Sequence, residues 1–194
     1  MKYPNGKSFT PNSIKSSVPI TYGNRGMDLE QEINLSNEYY LEEDIAAIYK
    51  KPTPIKITEV DYKSKGKVIT KAFFENPSTT DYNGIYKGKY IDFEAKETKL
   101  KTSFPLKNIH PHQIEHMMRV VKHGGICFLI VRFHVLNRTY LLWASEFSTF
   151  LKNKSRSSIP LEYFEEFGVL IEEGYRPRLD YLKIVDKRIK EEFV

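Results

Sequence analysis

From Met27 to Lys50 the apolar residues Leu29, Ile33, Tyr40, Leu41, Ile45 and Ile48 recur at helical spacing, with acidic side chains early in the run. The pattern predicts one long helix, or a helix with a break, ended by Pro52 and Pro54. The period then changes. Ile55 to Val60 alternates as a strand, Ser64-Lys-Gly-Lys67 reads as a turn, and Val68 to Phe74 returns as its partner. A second, shorter hairpin turns at Lys87-Gly-Lys89 and leaves Tyr90 to Lys96 as its better-formed strand. Residues 97–107 read as a polar loop, His110 to His123 as a helix ended by Gly124-Gly125, and Ile126 to Val135 as a buried strand. A turn at Asn137-Arg138 leads to a strand from Thr139 to Trp143. Short helices follow at 145–152 and 161–167, separated by a Ser-rich basic loop. Leu182, Val185 and Ile189 close the chain at helical spacing over 181–193. Strands interleaved with a crossover helix predict an α/β fold around a mixed central sheet flanked by helices.

With 194 residues, 40% hydrophobic and 28% charged, the chain is long enough for one substantial core and shows no second one. No apolar run approaches the roughly 20 residues that span a bilayer, and the polar start is not signal-like, so the expected location is the cytoplasm. A lone Cys127 inside Ile126-Cys-Phe-Leu-Ile-Val131 reads as a small buried hydrophobe. Net charge of +5 is compatible with nucleic acid, and its distribution says more. No acid precedes Asp28, while Lys2, Lys7, Lys15 and Arg25 stand among Pro, Gly, Ser and Asn. Residues 1–25 therefore read as a flexible basic arm, able to follow a phosphate backbone or to remain a solvated tail, and 26–194 as a single domain. The first hairpin carries Lys63, Lys65, Lys67 and Lys71, more cation than a turn needs for solubility.

The candidate chemistry lies on the second hairpin. Side chains two apart on a strand share a face, so Glu94 and Lys96 project together while Ala95 turns away. Asp81, folded back across the turn, would join them. Two carboxylates suit Mg²⁺, a hard cation that keeps room for water and substrate phosphate, and the ammonium would face the scissile phosphate. Asp92 shares the same face by period-two counting and is open to reading as a further ligand or as support behind the ligands. Lys96 as a general base would need a depressed pKa, toward which its carboxylates and their ion pull in opposite directions, so a charge-stabilising role is preferred. His110, His112, His116 and His123 lack the spacing and cysteine partners of a structural zinc site. Phe73 and Phe74 face opposite ways on a strand, which leaves one outside the core side, to stack on an unpaired base or to pack on a second subunit.

The text around these residues is more specific than the spacing. Ser78-Thr-Thr-Asp-Tyr-Asn-Gly-Ile-Tyr-Lys-Gly-Lys-Tyr-Ile-Asp-Phe-Glu-Ala-Lys-Glu-Thr98 resembles the RecU family of bacterial Holliday-junction resolvases. So do Asn24-Arg-Gly-Met27, Lys50-Lys-Pro-Thr-Pro54, Lys101-Thr-Ser-Phe-Pro-Leu106 and His112-Gln-Ile-Glu-His-Met117, in collinear order over nearly the whole chain. The resemblance implies a restriction-endonuclease-like core with the hairpin at 57–75 protruding as a stalk. It implies a metal site of Thr79, Asp81, Glu94 and Gln113 holding Mg²⁺, for which Mn²⁺ substitutes, and it favours Glu94 over Asp92. Glu30 on the first helix would support the site, or be a solvated helix charge. Arg25 and the stalk residues Lys63, Lys65, Lys67, Lys71, Phe73 and Phe74 would meet DNA.

These readings converge on a Mg²⁺-dependent endodeoxyribonuclease that cleaves four-way junctions by paired nicks, in which Lys96 stabilises the pentacovalent phosphorus. A near two-fold substrate calls for a C2 homodimer with two sites. The family also implies roles in recombination and DNA repair, with the recombinase filament and branch-migration machinery as partners, and a cytoplasmic, nucleoid-associated location. The alternatives are a nuclease of the same core acting on duplex or flapped DNA, and a non-catalytic junction-binding protein with vestigial carboxylates.

Overall fold

The computed structural model describes residues 28–62, 66–75, 79–153 and 156–191. The expected basic arm, Arg25, Lys63 and Lys65 lie outside them. Helix α1 (Leu29–Glu42) starts at Asp28, whose carboxylate accepts the Gln31 N–H at 2.8 Å, with Glu30 and Glu32 in the first turn against the positive end of the helix dipole. It stops earlier than the pattern predicts. Asp44 adopts a positive φ of 55°, the chain reverses, and Ala47–Lys50 is strand β1 instead of the end of a long helix. A four-residue strand with one buried side chain, Ile48, has too little period to announce itself; pairing with a later strand makes it a strand.

Strands β2 (Ile55–Asp61) and β3 (Val68–Phe74) form a separate two-stranded sheet, closed at its base by the Glu75 N–H donating to the Pro54 carbonyl at 3.0 Å. Every residue of β3 is exposed, and β2 is exposed through Glu59, so the hairpin protrudes as expected. The core takes neither phenylalanine: Phe73 is 55% and Phe74 83% exposed.

Strands β4 (Tyr82–Tyr86) and β5 (Lys89–Thr98) pair antiparallel around Lys87-Gly88, both at positive φ (48° and 73°), the twist a two-residue hairpin turn requires. The expected loop after β5 contains more structure than its polar text suggests: strand β6 (Ser103–Pro105), then a 3-10 turn at Leu106–Asn108. Helix α2 (Pro111–Lys122) crosses over to β7 (Ile126–Phe133), which lies parallel to β5 and is followed antiparallel by β8 (Arg138–Trp143). After helix α3 (Ala144–Asn153), strand β9 (Ser158–Pro160) pairs with β6, then come helix α4 (Leu161–Phe167), strand β10 (Val169–Leu170) and helix α5 (Tyr181–Glu191). The result is a mixed six-stranded sheet in the order β1-β4-β5-β7-β8-β10, an α/β architecture as expected.

Period-two alternation divides the core. On β7, Phe128 and Ile130 join α1 and α5 on one face, while Cys127, Leu129, Val131 and Phe133 join α2, α3 and α4 on the other. On β5, Ile91 and Phe93 point to the α1 and α5 face, so Asp92, Glu94 and Lys96 are turned toward α2. A buried ion-pair network ties α1 down: Arg132 of β7 bonds Glu32 and donates to Thr139 Oγ1 at 3.0 Å, and Arg178 donates to Glu32 at 3.2 Å.

Gly84 explains its place in the Asp81-Tyr-Asn-Gly-Ile-Tyr run. A Cβ there would stand 2.1 Å from the Ala47 carbonyl oxygen and 2.5 Å from Ile48 Cα, where β1 packs on β4. Gly84→Ala should therefore cost about 1–3 kcal/mol, as overpacking against backbone does. Chemical denaturation reads it; an unchanged midpoint would mean that β1 can retreat without loss.

Candidate active site

The structure brings Asp81, Glu94 and Lys96 together. Asp81 lies just before β4 and folds back onto β5: its N–H donates to Glu94 Oε2 at 3.1 Å, and its Oδ2 accepts the Ala95 N–H at 3.4 Å. Lys96 Nζ contacts Glu94 Oε1 and lies 3.8 Å from Asp81 Oδ2. Glu94 is fully buried, whereas the Asp81 and Lys96 side chains are 35% and 25% exposed. The carboxyl of Glu94 is pushed up to about 7, first by burial and then by the charge of Asp81, with Lys96 opposing. One lysine does not fully offset two carboxylates at this depth.

That imbalance fits a cation. Among the described residues no three His, Cys, Asp or Glu side chains converge as a ligand set, so an ion here would take two charged ligands and complete its shell with neutral oxygens and water. Mg²⁺ tolerates such a set, and soft or nitrogen-seeking metals do not prefer it. Thr79 is half-buried beside Asp81, its hydroxyl 3.4 Å from the Thr80 carbonyl oxygen. Gln113, in the first turn of α2, reaches the site, donating from Nε2 to Glu94 Oε1 at 2.7 Å. Its oxygen accepts the His110 N–H at 3.0 Å as part of a capping box. To offer that oxygen to an ion, the amide would turn over and exchange its two ends.

Asp92 is the neighbour the sequence left open. It is fully buried and accepts from Lys51 Nζ (2.8 Å), Tyr90 Oη (2.9 Å) and the Thr80 hydroxyl, with His116 Nε2 at 3.2 Å. Lys51 also donates from Nζ to Thr80 Oγ1 at 2.9 Å and from its backbone N–H to the Asp81 carbonyl at 2.8 Å. Asp92 is thus occupied in fixing the segment that carries Thr79 and Asp81. Lys51, Thr80, Tyr90 and His116 went unrecognised in the sequence. Only Lys51 carried a signal, since it begins the Lys-Pro-Thr-Pro run; the others depend on which strands meet.

Glu30 pairs with Lys50 at 2.5 Å and shares with Asp28, Asp81 and Glu97 the lining of a concavity of about 230 Å³. Glu97 accepts the Leu29 N–H at 2.9 Å and so fastens α1 to β5. The other proposed DNA-facing residues stand apart on the hairpin. Lys67 is exposed, and Lys71 pairs with Glu59 at 3.6 Å and lies 5.8 Å over the Phe73 ring. His110 and His112 stack on each other at 5.4 Å, away from His116 on Asp92. Burial pushes the Cys127 thiol far up, which leaves it inert.

A carboxylate ahead of one strand, Glu-x-Lys on the next and an amide from the crossover helix, on an α/β sheet, define a nuclease-type site. The chain belongs to the RecU family. The family model described as "RecU: Recombination protein U" matches residues 24–187. The chain is 54% identical over 193 residues to the Holliday junction resolvase RecU of Geobacillus sp. (strain WCH70), with 96% of each covered. It is 53% identical over 194 residues to that of Geobacillus thermodenitrificans (strain NG80-2) and 52% identical over 193 residues to that of Bacillus cereus (strain B4264), again with 96% of each covered. Among solved structures it is similar to Archaeoglobus fulgidus Hjc, a Holliday junction resolvase, with a TM-score of 0.42 at 8% identity over 71% of this chain and 94% of that one.

Two outcomes test this geometry. A carboxyl whose pKa rises on folding favours the folded state below its unfolded value and loses that contribution as pH climbs through the folded one. With divalent ions chelated, the stability advantage of Glu94→Gln over wild type should therefore grow from about pH 4.5 to about 7 and then level; a pH-independent difference would mean Glu94 is not strained by burial. Asp92→Asn should cost about 3 kcal/mol by leaving Lys51 without its counter-charge. Asp92→Asn combined with Lys51→Met should recover much of it, and a double variant no more stable than the single would dissolve the pair as a unit.

Proposed function

We propose that this chain is a Mg²⁺-dependent structure-specific endodeoxyribonuclease that resolves four-way DNA junctions by paired nicks during recombination and repair, with Mn²⁺ able to substitute. The observation that carries the reading is the convergence of Asp81 and Lys96 on the buried carboxylate of Glu94. The family relatives bear the name of that activity.

When bound, the ion supplies Lewis acidity toward the phosphate and a nucleophilic water. The chain's residues do the rest. Asp81 and Glu94 would hold the ion, with Thr79 and, were its amide turned over, Gln113 as neutral oxygens. Lys96, counter-ion to both carboxylates, is directed at the charge that develops on phosphorus, a role electrostatic stabilisation fills better than proton abstraction. The Asp92 network keeps the Asp81 segment from moving when substrate charge arrives.

Resolution needs two nicks placed symmetrically, so the active species is a C2 homodimer with one site per subunit. The protruding hairpin, exposed along both strands and carrying Phe73 and Phe74, suits the open centre of a junction, where bases unstack. The recombinase filament and branch-migration machinery remain partners implied by the family, and the cytoplasm with its nucleoid the place of action. No described helix is long and apolar enough to cross a membrane.

Cleavage of a synthetic four-way junction, a linear duplex and a flap, each with Mg²⁺ and with EDTA, tests the reading. Junction nicking in Mg²⁺ alone is expected. Asp81→Asn should lower it by orders of magnitude while junction binding persists, and Lys96→Ala should do the same with metal binding retained by calorimetry. Preference for duplex or flap would favour the other nuclease reading, and binding without cleavage by the wild type the non-catalytic one.

A further inference from the structure

Strands β6 and β9 are distant in sequence yet pair residue by residue, Ser103 with Pro160, Phe104 with Ile159 and Pro105 with Ser158. Backbone bonds extend the pairing at both ends: Leu106 N–H to the Ser157 carbonyl at 3.0 Å and Leu161 N–H to the Thr102 carbonyl at 2.8 Å. This joins the two polar, basic segments that the sequence shows as unrelated loops. Lys99, Lys101 and Lys107 come from one and Arg156 from the other, with Lys152 at the end of α3 just before it. All five are exposed, and none forms an ion pair among the described residues. From Lys99 to Leu161 the chain carries 10 Lys and Arg and two acids, Glu115 and Glu146, with Glu97 and Glu162 bordering the stretch.

The segment from Lys99 to Ile109 is bracketed by the active site. It leaves from the end of β5, four residues past Glu94, and it delivers the chain to His110 and Gln113, which bonds Glu94 at 2.7 Å. Thr98 secures its start, its Oγ1 accepting the Leu100 N–H at 3.2 Å. Between the two segments lies an open concavity of about 490 Å³, lined by Lys107, by the hydroxyl-bearing Ser103, Ser157 and Ser158, and by Leu100 and Leu106.

We infer that the β6–β9 ledge is the seat of a duplex arm of the DNA substrate, with Lys99, Lys101, Lys107 and Arg156 contacting its phosphates and the serines donating to them from the concavity. The inference rests on the proposed junction activity and adds the surface that positions an arm relative to the cut. Lysine, arginine and serine donors of this kind fix register on a backbone without reading sequence. Their distance fits. A chain reaches at most ~3.6 Å per residue, so Lys99 and Lys101 lie within roughly 20 Å of Lys96, inside about six base pairs along a duplex rising ~3.4 Å per step.

The test replaces Lys99, Lys101, Lys107 and Arg156 with Ala, none of which belongs to the catalytic cluster. Binding of a four-way junction and of a linear duplex is measured in Ca²⁺ across a salt series, and cleavage in Mg²⁺ at saturating junction. Affinity for both should fall at least about 10-fold, with the log–log salt slope shallower by about 0.9 for each phosphate no longer neutralised, and saturated cleavage should stay within about twofold. Ethylation interference should lose its signal at phosphates within about six base pairs of the cut. If the quadruple variant melts below wild type, Lys101→Glu alone is read in the same way. An unchanged slope, or a loss on the junction with duplex binding intact, overturns the ledge, since an arm is a duplex. A wild type that does not cleave junctions would instead sink the proposed function, and the duplex series would still judge the ledge by itself.

Discussion

A carboxylate with no solvent exposure is the constraint around which this molecule is organised. Taking Glu94 out of water carries a penalty of several kcal/mol unless donors replace the lost hydration. The replacements come from separate parts of the chain: the Asp81 N–H from the turn before β4, the Gln113 amide from the first turn of α2, and Lys96 from β5 itself. The site is complete only once β4, β5 and α2 are in place, because two of its three donors lie outside β5. Two residues earlier, Asp92 faces the same problem and meets it completely, with Lys51, Thr80, Tyr90 and His116 around it. The contrast gives the two acids different work. Asp92 is saturated and structural, whereas Glu94 remains short of positive charge, its carboxyl pushed up to about 7 by burial and then by the Asp81 charge.

The opposite face of the same strand supplies the rigidity. Phe93, between the two acids, stacks on Tyr82 of β4 at 4.8 Å and on Phe128 of β7 at 4.9 Å, and Tyr181 of α5 closes on it at 5.2 Å. This ladder crosses three strands and locks their register, and a one-residue slip would put aromatics where the acids belong. Glu97 and Glu32 fasten α1 to the same sheet through the Leu29 N–H and Arg132.

Periodicity made the centre of the fold legible. The alternation of β5, the buried run of β7 and the apolar spacing of α5 each predicted its element, and period-two counting alone put Glu94 and Lys96 on one face. What stayed hidden depends on distant partners. Ala47–Lys50 reads as helix until β4 is there to pair with it, and β6 and β9 are three-residue strands whose pairing no local pattern encodes. The Asp92 donors were invisible for the same reason: Lys51, Thr80, Tyr90 and His116 share no spacing, only a destination. Gln113 was found by family resemblance and not by residue type, and its orientation came only from the His110 bond.

The hairpin is where local chemistry qualifies the sequence reading most. Counting lysines suggested four equivalent phosphate partners, but Lys71 is paired with Glu59 and lies over the Phe73 ring, so its charge is partly committed within the hairpin. An exposed pair of this kind contributes little to stability, so it costs little to exchange. A phosphate approaching Lys71 would meet the Glu59 carboxylate as well, which weakens Lys71 as an electrostatic anchor. Phe74, at 83% exposure, is open along nearly its whole surface. A two-stranded hairpin that shows its apolar side chains on both faces is marginal in water. An aromatic ring with a cation nearby suits an unstacked base beside its own phosphate, the contact proposed above for this hairpin, and packing on a second subunit would cover the same rings.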